Sequence, residues 1–372
     1  MIDATNIAIV GAGLVGRLLA VELSKHSINV TLYEKDNLAN LKDQHASAAA
    51  FTAAGMIAPI SETIDSDIDT YHLGATSIKL WPSIIEHLKN QHLQQVEFQT
   101  NGSLIIAHPQ DQAELDFFKL NTERLTRRCN AQFQAVDDSQ IHSLEPDLSS
   151  TFKQGLFLPD EAQIDNRQLM SSLLLACKAQ NVSIIDNTPV QIRNNCVVSK
   201  DTQHAFDLVF DCRGFGAKQQ LTNLRGVRGE VLRVSCDEFT LSRPVRLMHP
   251  RYQLYLAPKP NKHFVIGATQ IESEDQSAVS VQSMMELCSA LYSISPAFAE
   301  ARILEQNTNL RPALANNKPC IQVCDKHISI NGLFRHGYLI APAIIHSVMS
   351  WLNGKECQHF NHLFTFTEQS HA

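Results

Sequence analysis

Apolar residues in this chain gather into short runs that alternate with stretches of helical spacing. The first run, Ile7 to Val10, leads straight into Gly11-Ala12-Gly13-Leu14-Val15-Gly16. A helical pattern follows, and a second apolar run ends on the acid Glu34 and its neighbour Lys35. Strand, glycine turn, helix, strand and terminal acid form the fingerprint of a dinucleotide-binding βαβ unit. In such a unit Gly11 permits the tight turn, Gly13 lets the backbone approach a pyrophosphate, and Gly16 lets helix and strand pack closely. The helix start offers free N–H groups to the phosphates. Glu34, about 20 residues beyond the glycines, is placed to accept from ribose hydroxyls. A glycine turn that merely packed a helix on a sheet would leave Glu34 without a role.

Further along, Leu73, Ile78, Trp81, Ile84, Ile85 and Leu88 predict a helix within Tyr71 to His92. Thr100 to Ser103 reads as a turn before the strand Leu104 to Ala107, and Gln112 to Arg127 as an amphipathic helix. Leu169 to Ala179 is helical and Val182 to Ile185 a short strand. A strand from Asp207 to Asp211 then breaks into Cys212-Arg213-Gly214-Phe215-Gly216, an element that a long dinucleotide needs to cover its pyrophosphate. Strands dominate Val227 to Thr269, and Val281 to Ile294 is helical. Leu310-Arg311-Pro312, Gly332 to Leu339 and a helix from Pro342 to Trp351 close the chain. Small residues crowd two segments, Ala46 to Ala50 and Ala53 to Pro59, suiting either an ordinary helix or a close approach to something flat.

Nucleotide-type motifs near both termini predict an α/β fold with a discontinuous nucleotide domain. This would be a Rossmann-like domain with a parallel sheet, formed by 1–85, 151–225 and 310–372. The inserted α+β substrate domain, 86–150 and 226–309, would carry a mixed or antiparallel sheet. A formal charge of -7 over 372 residues, with no basic run, argues against nucleic acid. Nine cysteines without paired CxxC spacing argue against a disulfide framework and a zinc site, so no metal is expected. Ile7 to Leu23 contains Arg17 and Glu22 and reads as strand, turn and helix rather than a signal peptide. The expectation is a cytoplasmic protein without a membrane span.

Several pieces in order resemble one family. Besides Gly11 to Gly16 these are Ala53-Ala54-Gly55-Met56-Ile57-Ala58-Pro59, Gly155 to Asp165, and Gly226-Val227-Arg228-Gly229-Glu230. Tyr255 to Lys259, Phe264 to Thr269, Leu310-Arg311-Pro312 and Phe334 to Pro342 complete the set. Together they resemble the FAD-dependent D-amino-acid oxidase superfamily, in particular its glycine oxidase branch associated with thiazole synthesis and hence thiamine biosynthesis. The resemblance implies noncovalent FAD, since the surroundings of Cys320 do not match the covalent attachment motif of some relatives. It also implies that Ala53, Ala54, Gly55 and Met56 lie against the isoalloxazine. Val190 would bond adenine through its backbone, while Cys212, Gly214 and Gly216 would line the nucleotide. Arg335, His336, Gly337, Tyr338, Leu339 and Ile340 would run along the flavin, with the last helix pointing its N-terminus at the pyrimidine edge.

By the same resemblance Arg311 grips a substrate carboxylate in a fork, a task that suits a guanidinium better than an ammonium. Tyr255 would donate to that carboxylate, Arg335 would be a second arginine near the flavin, and Met56 would form part of the wall. The implied reaction is hydride transfer from the Cα–H of a small amino acid or amine to flavin N5. Dioxygen then reoxidises the flavin to give hydrogen peroxide. Read without the resemblance, Arg311 before a proline has the bland alternatives of a surface arginine or an internal ion-pair partner, Tyr255 that of a half-buried aromatic and Met56 that of plain packing. The segments Asn316 to Gln322 and Gly332 to Gly337 depart from the glycine oxidase pattern, which leaves the substrate open. A dehydrogenase with another electron acceptor, or an FAD-binding protein acting through a partner, also fits these residues. So does a homo-oligomer.

Overall fold

The computed structural model describes residues 4–38, 48–91, 94–200, 202–251, 254–355 and 360–367. Ala46, Ser47 and His92 lie outside them. Two large sheets organise these residues. The seven-stranded sheet has the order Phe364–Phe366, Cys320–Cys324, His327–Asn331, Leu208–Asp211, Asn6–Val10, Asn29–Tyr33, Ser183–Ile185. Asn6–Val10 is an interior strand, parallel to both neighbours, with Ile9 opposite Phe210 on one side and Leu32 on the other. Its apolar run is continuous because it is buried among both neighbours and the covering helices.

Leu14–Ser24 packs against Asn166–Ala179 and Gly337–Leu352, and the latter against Ile68–Asn90. Each helix begins where its sequence allows. Asp67 caps Ile68–Asn90 by accepting from Thr70 N–H, and Asp165 caps Asn166–Ala179 through Arg167 and Gln168 N–H. The last helix starts at Gly337, five residues before the start expected at Pro342, so Pro342 lies inside it. Proline lacks the N–H that would satisfy the carbonyl four residues earlier, that of Tyr338. Trp81 Nε1 donates to that oxygen instead, at 3.1 Å. A distant side chain thus supplies the missing bond.

The eight-stranded sheet runs Arg302–Ala313, Arg225–Ser235, His263–Gly267, Leu254–Lys259, Val245–Met248, Ser103–Ala107, Gln154–Leu158, Gln134–Asp137. Its pairings are antiparallel except Ser103–Ala107 with Val245–Met248. The helix Val281–Ile294 helps cover an apolar core of Leu232, Leu256, Phe264 and Ile266. Gln154–Leu158 belongs to this sheet, and the division at 310 falls inside the strand Arg302–Ala313. Pairing from Ser235↔Arg302 to Arg225↔Ala313, broken only by a bulge at Leu304 where the register shifts between Arg233 and Val234, holds that strand in the sheet. Pro312 is tolerated because the strand lies at the edge.

Candidate active site

Both sheets contribute to a cavity of about 850 Å³. At the carboxyl end of Asn6–Val10, Gly11 has φ +104°, and a Cβ there would lie 2.7 Å from the Cys212 carbonyl oxygen. A Cβ at Gly16 would come within 1.9 Å of Gly11 O, so helix and strand meet only because that side chain is absent. Gly13 faces open space, which leaves the N-terminus of Leu14–Ser24 accessible to a phosphate.

Gly11, Gly13, Leu14, Val15, Glu34, Lys35 and Val190 line the cavity. Ala12 and Gly16 are not on the wall: Gly16 faces the strand, and Ala12 is buried with its N–H donating to Glu34 Oε2 at 2.7 Å. Glu34 Oε1 accepts from Lys35 N–H at 2.8 Å and Asp36 N–H at 3.2 Å, so this acid also organises its own loop. Beneath the loop, Arg17 donates to the carbonyls of Ala12 and Met170, both at 2.6 Å, a support that the sequence motif does not announce.

Ala53, Ala54, Gly55 and Met56 form another part of the wall, with Cys212, Gly214, Gly216, Gly337, Tyr338 and Leu339. Gly55 has φ +77°, and a Cβ on it would stand 2.1 Å from Ile164 O. His336 and Ile340 do not reach the wall. Ile340 belongs to the apolar core, while His336 turns Nδ1 towards Glu62 Oε2 at 3.2 Å. Cys320 is also absent from the wall; its sulfur lies 3.6 Å from Thr365 Oγ1. Open glycine edges, an accessible helix N-terminus and a carboxylate at the second strand form a cradle that FAD fits.

Tyr255, Arg311 and Arg335 all line the same cavity. Arg335 is already paired: its Nε donates to Glu62 Oε2 at 2.6 Å and Nη2 lies 3.4 Å from Asp65 Oδ2. Tyr255 donates its hydroxyl to Glu62 Oε1 at 2.7 Å and accepts from Arg246 Nη1 at 3.2 Å. Arg246, fully buried, also reaches Asp65 Oδ2 at 2.7 Å. Burial alone would raise the Glu62 carboxyl, but the Arg335 charge and the bonds from His336 and Arg335 hold it well below the usual carboxylate range. Burial opposes the charge on Arg335, and Glu62 outweighs it, so that guanidinium is held above its ordinary value. Burial pushes the Tyr255 hydroxyl well up, so it stays protonated.

Arg311 differs. Its Nη1 and Nη2 donate to the carbonyls of Arg228 at 3.2 Å and Thr269 at 3.0 Å, and no carboxylate among the described residues forms an ion pair with it. Burial, with the like charge of Arg335, lowers it to about 10, which leaves it charged near neutrality. Gly229 makes room for it: a Cβ there would fall 2.6 Å from the guanidinium carbon. Sequence reasoning missed Glu62, Asp65 and Arg246. The only local signal for Glu62 was an acid in the first turn after Pro59, at the end of the small-residue run.

A dinucleotide cradle opening onto a cavity with a cationic anchor defines an oxidoreductase of the flavin-binding type. The chain matches the model of the FAD dependent oxidoreductase family over residues 6–348, and it belongs to that family. It is an FAD-dependent oxidoreductase. One relative is a Rhizobium etli protein whose name assigns it to thiamine biosynthesis as the oxidoreductase ThiO. The two are 35% identical over 91% of this chain and 94% of that one. The glycine oxidase of Geobacillus kaustophilus is 23% identical over 91% of this chain and 90% of its own length. Its crystal structure shares the fold, with a TM-score of 0.82 over 94% of this chain and 95% of that chain. The structure of iminodiacetate oxidase from Chelativorans sp. BNC1 gives 0.83 at 21% identity, covering 97% of this chain and 99% of that chain.

Proposed function

We propose that the enzyme oxidises a small amino acid or amine, as the glycine oxidase and iminodiacetate oxidase relatives do by name. The observation that carries this reading is Arg311, a charged guanidinium on the cavity wall without a carboxylate of its own. It binds the substrate carboxylate, and its planar donors set the orientation of the Cα–H. Arg335 is neutralised by Glu62, so it shapes the cavity rather than gripping the anion. The Tyr255 proton is committed to Glu62, so the Glu62–Tyr255 edge accepts from the substrate amine. Met56 closes the wall. Noncovalently bound FAD supplies a two-electron acceptor that dioxygen reoxidises to give hydrogen peroxide, and the released imine hydrolyses to a 2-oxo acid and ammonia. The protein contributes orientation and a fixed electrostatic frame.

The proposed setting is the cytoplasm. Free thiols at Cys177, Cys212 and Cys236 suit a reducing compartment, and no helix among the described residues is long and apolar enough to cross a membrane. In this reading 1–85, 151–225 and 310–372 hold FAD and 86–150 and 226–309 hold substrate, although Gln154–Leu158, Arg225 and Leu310 to Ala313 pair within the eight-stranded sheet.

The test is an anaerobic absorption spectrum before and after adding glycine, sarcosine and D-alanine separately. Bleaching of the flavin band at about 450 nm by one of them is expected. A band that none of them bleaches would overturn the small-amino-acid assignment.

A further inference from the structure

The same sheet face that floors the large cavity carries a second one, of about 270 Å³. Side chains two apart on a strand share a face. Val231 and Tyr255 line the large cavity, and two or four residues further on Arg233 and Lys259 line the small one. Ala54 links them: it lies on the large cavity, and its carbonyl accepts from Lys259 Nζ at 2.7 Å. Lys259 Nζ donates also to Ile164 O, at 3.0 Å.

Arg233 is only 8% exposed. Its Nη2 donates to the neutral Asn166 Oδ1 at 3.0 Å, and its buried Nε has no acceptor. Neither acid on the cavity wall pairs with it. Arg167 takes Glu305 through two bonds of 2.7 and 2.6 Å, and Asp165 accepts from Arg167 and Gln168 N–H at the helix start. Burial, with the like charge of Arg167, lowers Arg233 to about 10, and burial lowers Lys259 to about 8. Three cationic side chains (Arg167, Arg233, Lys259) therefore face two acidic ones (Asp165, Glu305), with His263 beside them. A buried guanidinium without an anion is costly, and an oxyanion in this cavity would relieve it.

We propose that this second cavity binds a small oxyanion, a carboxylate or phosphate group, seated on Arg233 and flanked by Arg167, Lys259 and His263.

The test uses the FAD-loaded enzyme, so that the dinucleotide cradle is filled. Thermal melts are recorded with inorganic phosphate, with glycerol phosphate and with acetate, each against chloride at equal ionic strength. A saturable rise in Tm of about 2–4 °C with at least one of these anions is expected. Glycerol phosphate acting at lower concentration than phosphate would assign the site to a phosphorylated metabolite; acetate acting alone would assign it to a carboxylate. Arg233→Met should abolish the rise with FAD content unchanged. Arg167→Gln, which frees Glu305 and brings the lining to charge balance, should weaken the anion at least about 10-fold and serves if Arg233→Met does not fold. No saturable rise in the wild type, or an equal rise in the variants, would overturn the proposal.

Discussion

Arg311 and Arg335 stand on the wall of one cavity, yet only Arg335 has its charge answered inside the protein. That difference makes their substitutions separable. Arg311→Met removes an anion partner made only with substrate, so kcat/KM for an amino acid should fall by roughly 10²–10³, about 3–4 kcal/mol. FAD content should hold, and steady-state kinetics with an amine lacking a carboxylate should show little change. A variant with normal amino-acid kinetics would remove Arg311 from the site. Gly229→Ala gives a gentler version. The added methyl must displace the Arg311 guanidinium, the mobile end of a side chain. KM should therefore rise several-fold while Tm moves little, and a Tm loss without a KM change would show that the backbone yields instead.

The glycine loop and Glu34 were legible at this scale because their geometry is local to the first thirty or so residues. Glu62, Asp65 and Arg246 were not. They meet only when a helix start near residue 60 is folded against strands near 246 and 255.

The short helix Pro59–Ile64, which carries Glu62, is fixed from below by a buried acid. Glu161 accepts from Ser61 N–H at 2.7 Å and Ser61 Oγ at 2.9 Å, and from the Ser103 hydroxyl. Burial dominates over these bonds and pushes Glu161 up to about 7, from 4.5. The native state therefore holds a proton that the unfolded chain has released. Its contribution is fully present below pH 4.5, is lost as pH rises to about 7, and changes no further above that. Glu161→Gln keeps an acceptor and removes the titration. Urea unfolding between pH 5 and 8 should show the wild type losing on the order of 2–3 kcal/mol relative to the variant. Parallel profiles would place the Glu161 proton elsewhere. Element boundaries show the same divide between local and distant causes. Val281–Ile294 was readable from its own spacing, whereas the final helix begins before Pro342 because Trp81, remote in sequence, covers the exposed carbonyl.

Across the whole molecule, the two sheets are joined by chain crossings, by the buried contacts of Asn166 and by the cavity they share. Asn166 Nδ2 donates to Ala50 O and Phe51 O while its Oδ1 receives Arg233 from the other sheet. Gly11 and Val15 on one side and Val231, Gly267 and Arg311 on the other line one continuous volume. FAD bound along this volume would touch both halves, and its binding energy would then add to the stability of their junction. Removing FAD should lower Tm. Restoring it at 100 times its dissociation constant should return about 2.7 kcal/mol, a rise of roughly 3–4 °C in a chain of this size. The rise should grow with the logarithm of free FAD, because only the native state binds it. Gly16→Val supplies the contrast: its side chain would strike Gly11 O, splaying helix from strand and spoiling the cradle. In that variant the melt should no longer respond to FAD, at any concentration that saturates the wild type. A wild-type melt indifferent to FAD would mean that the native state does not bind it in preference to the unfolded chain.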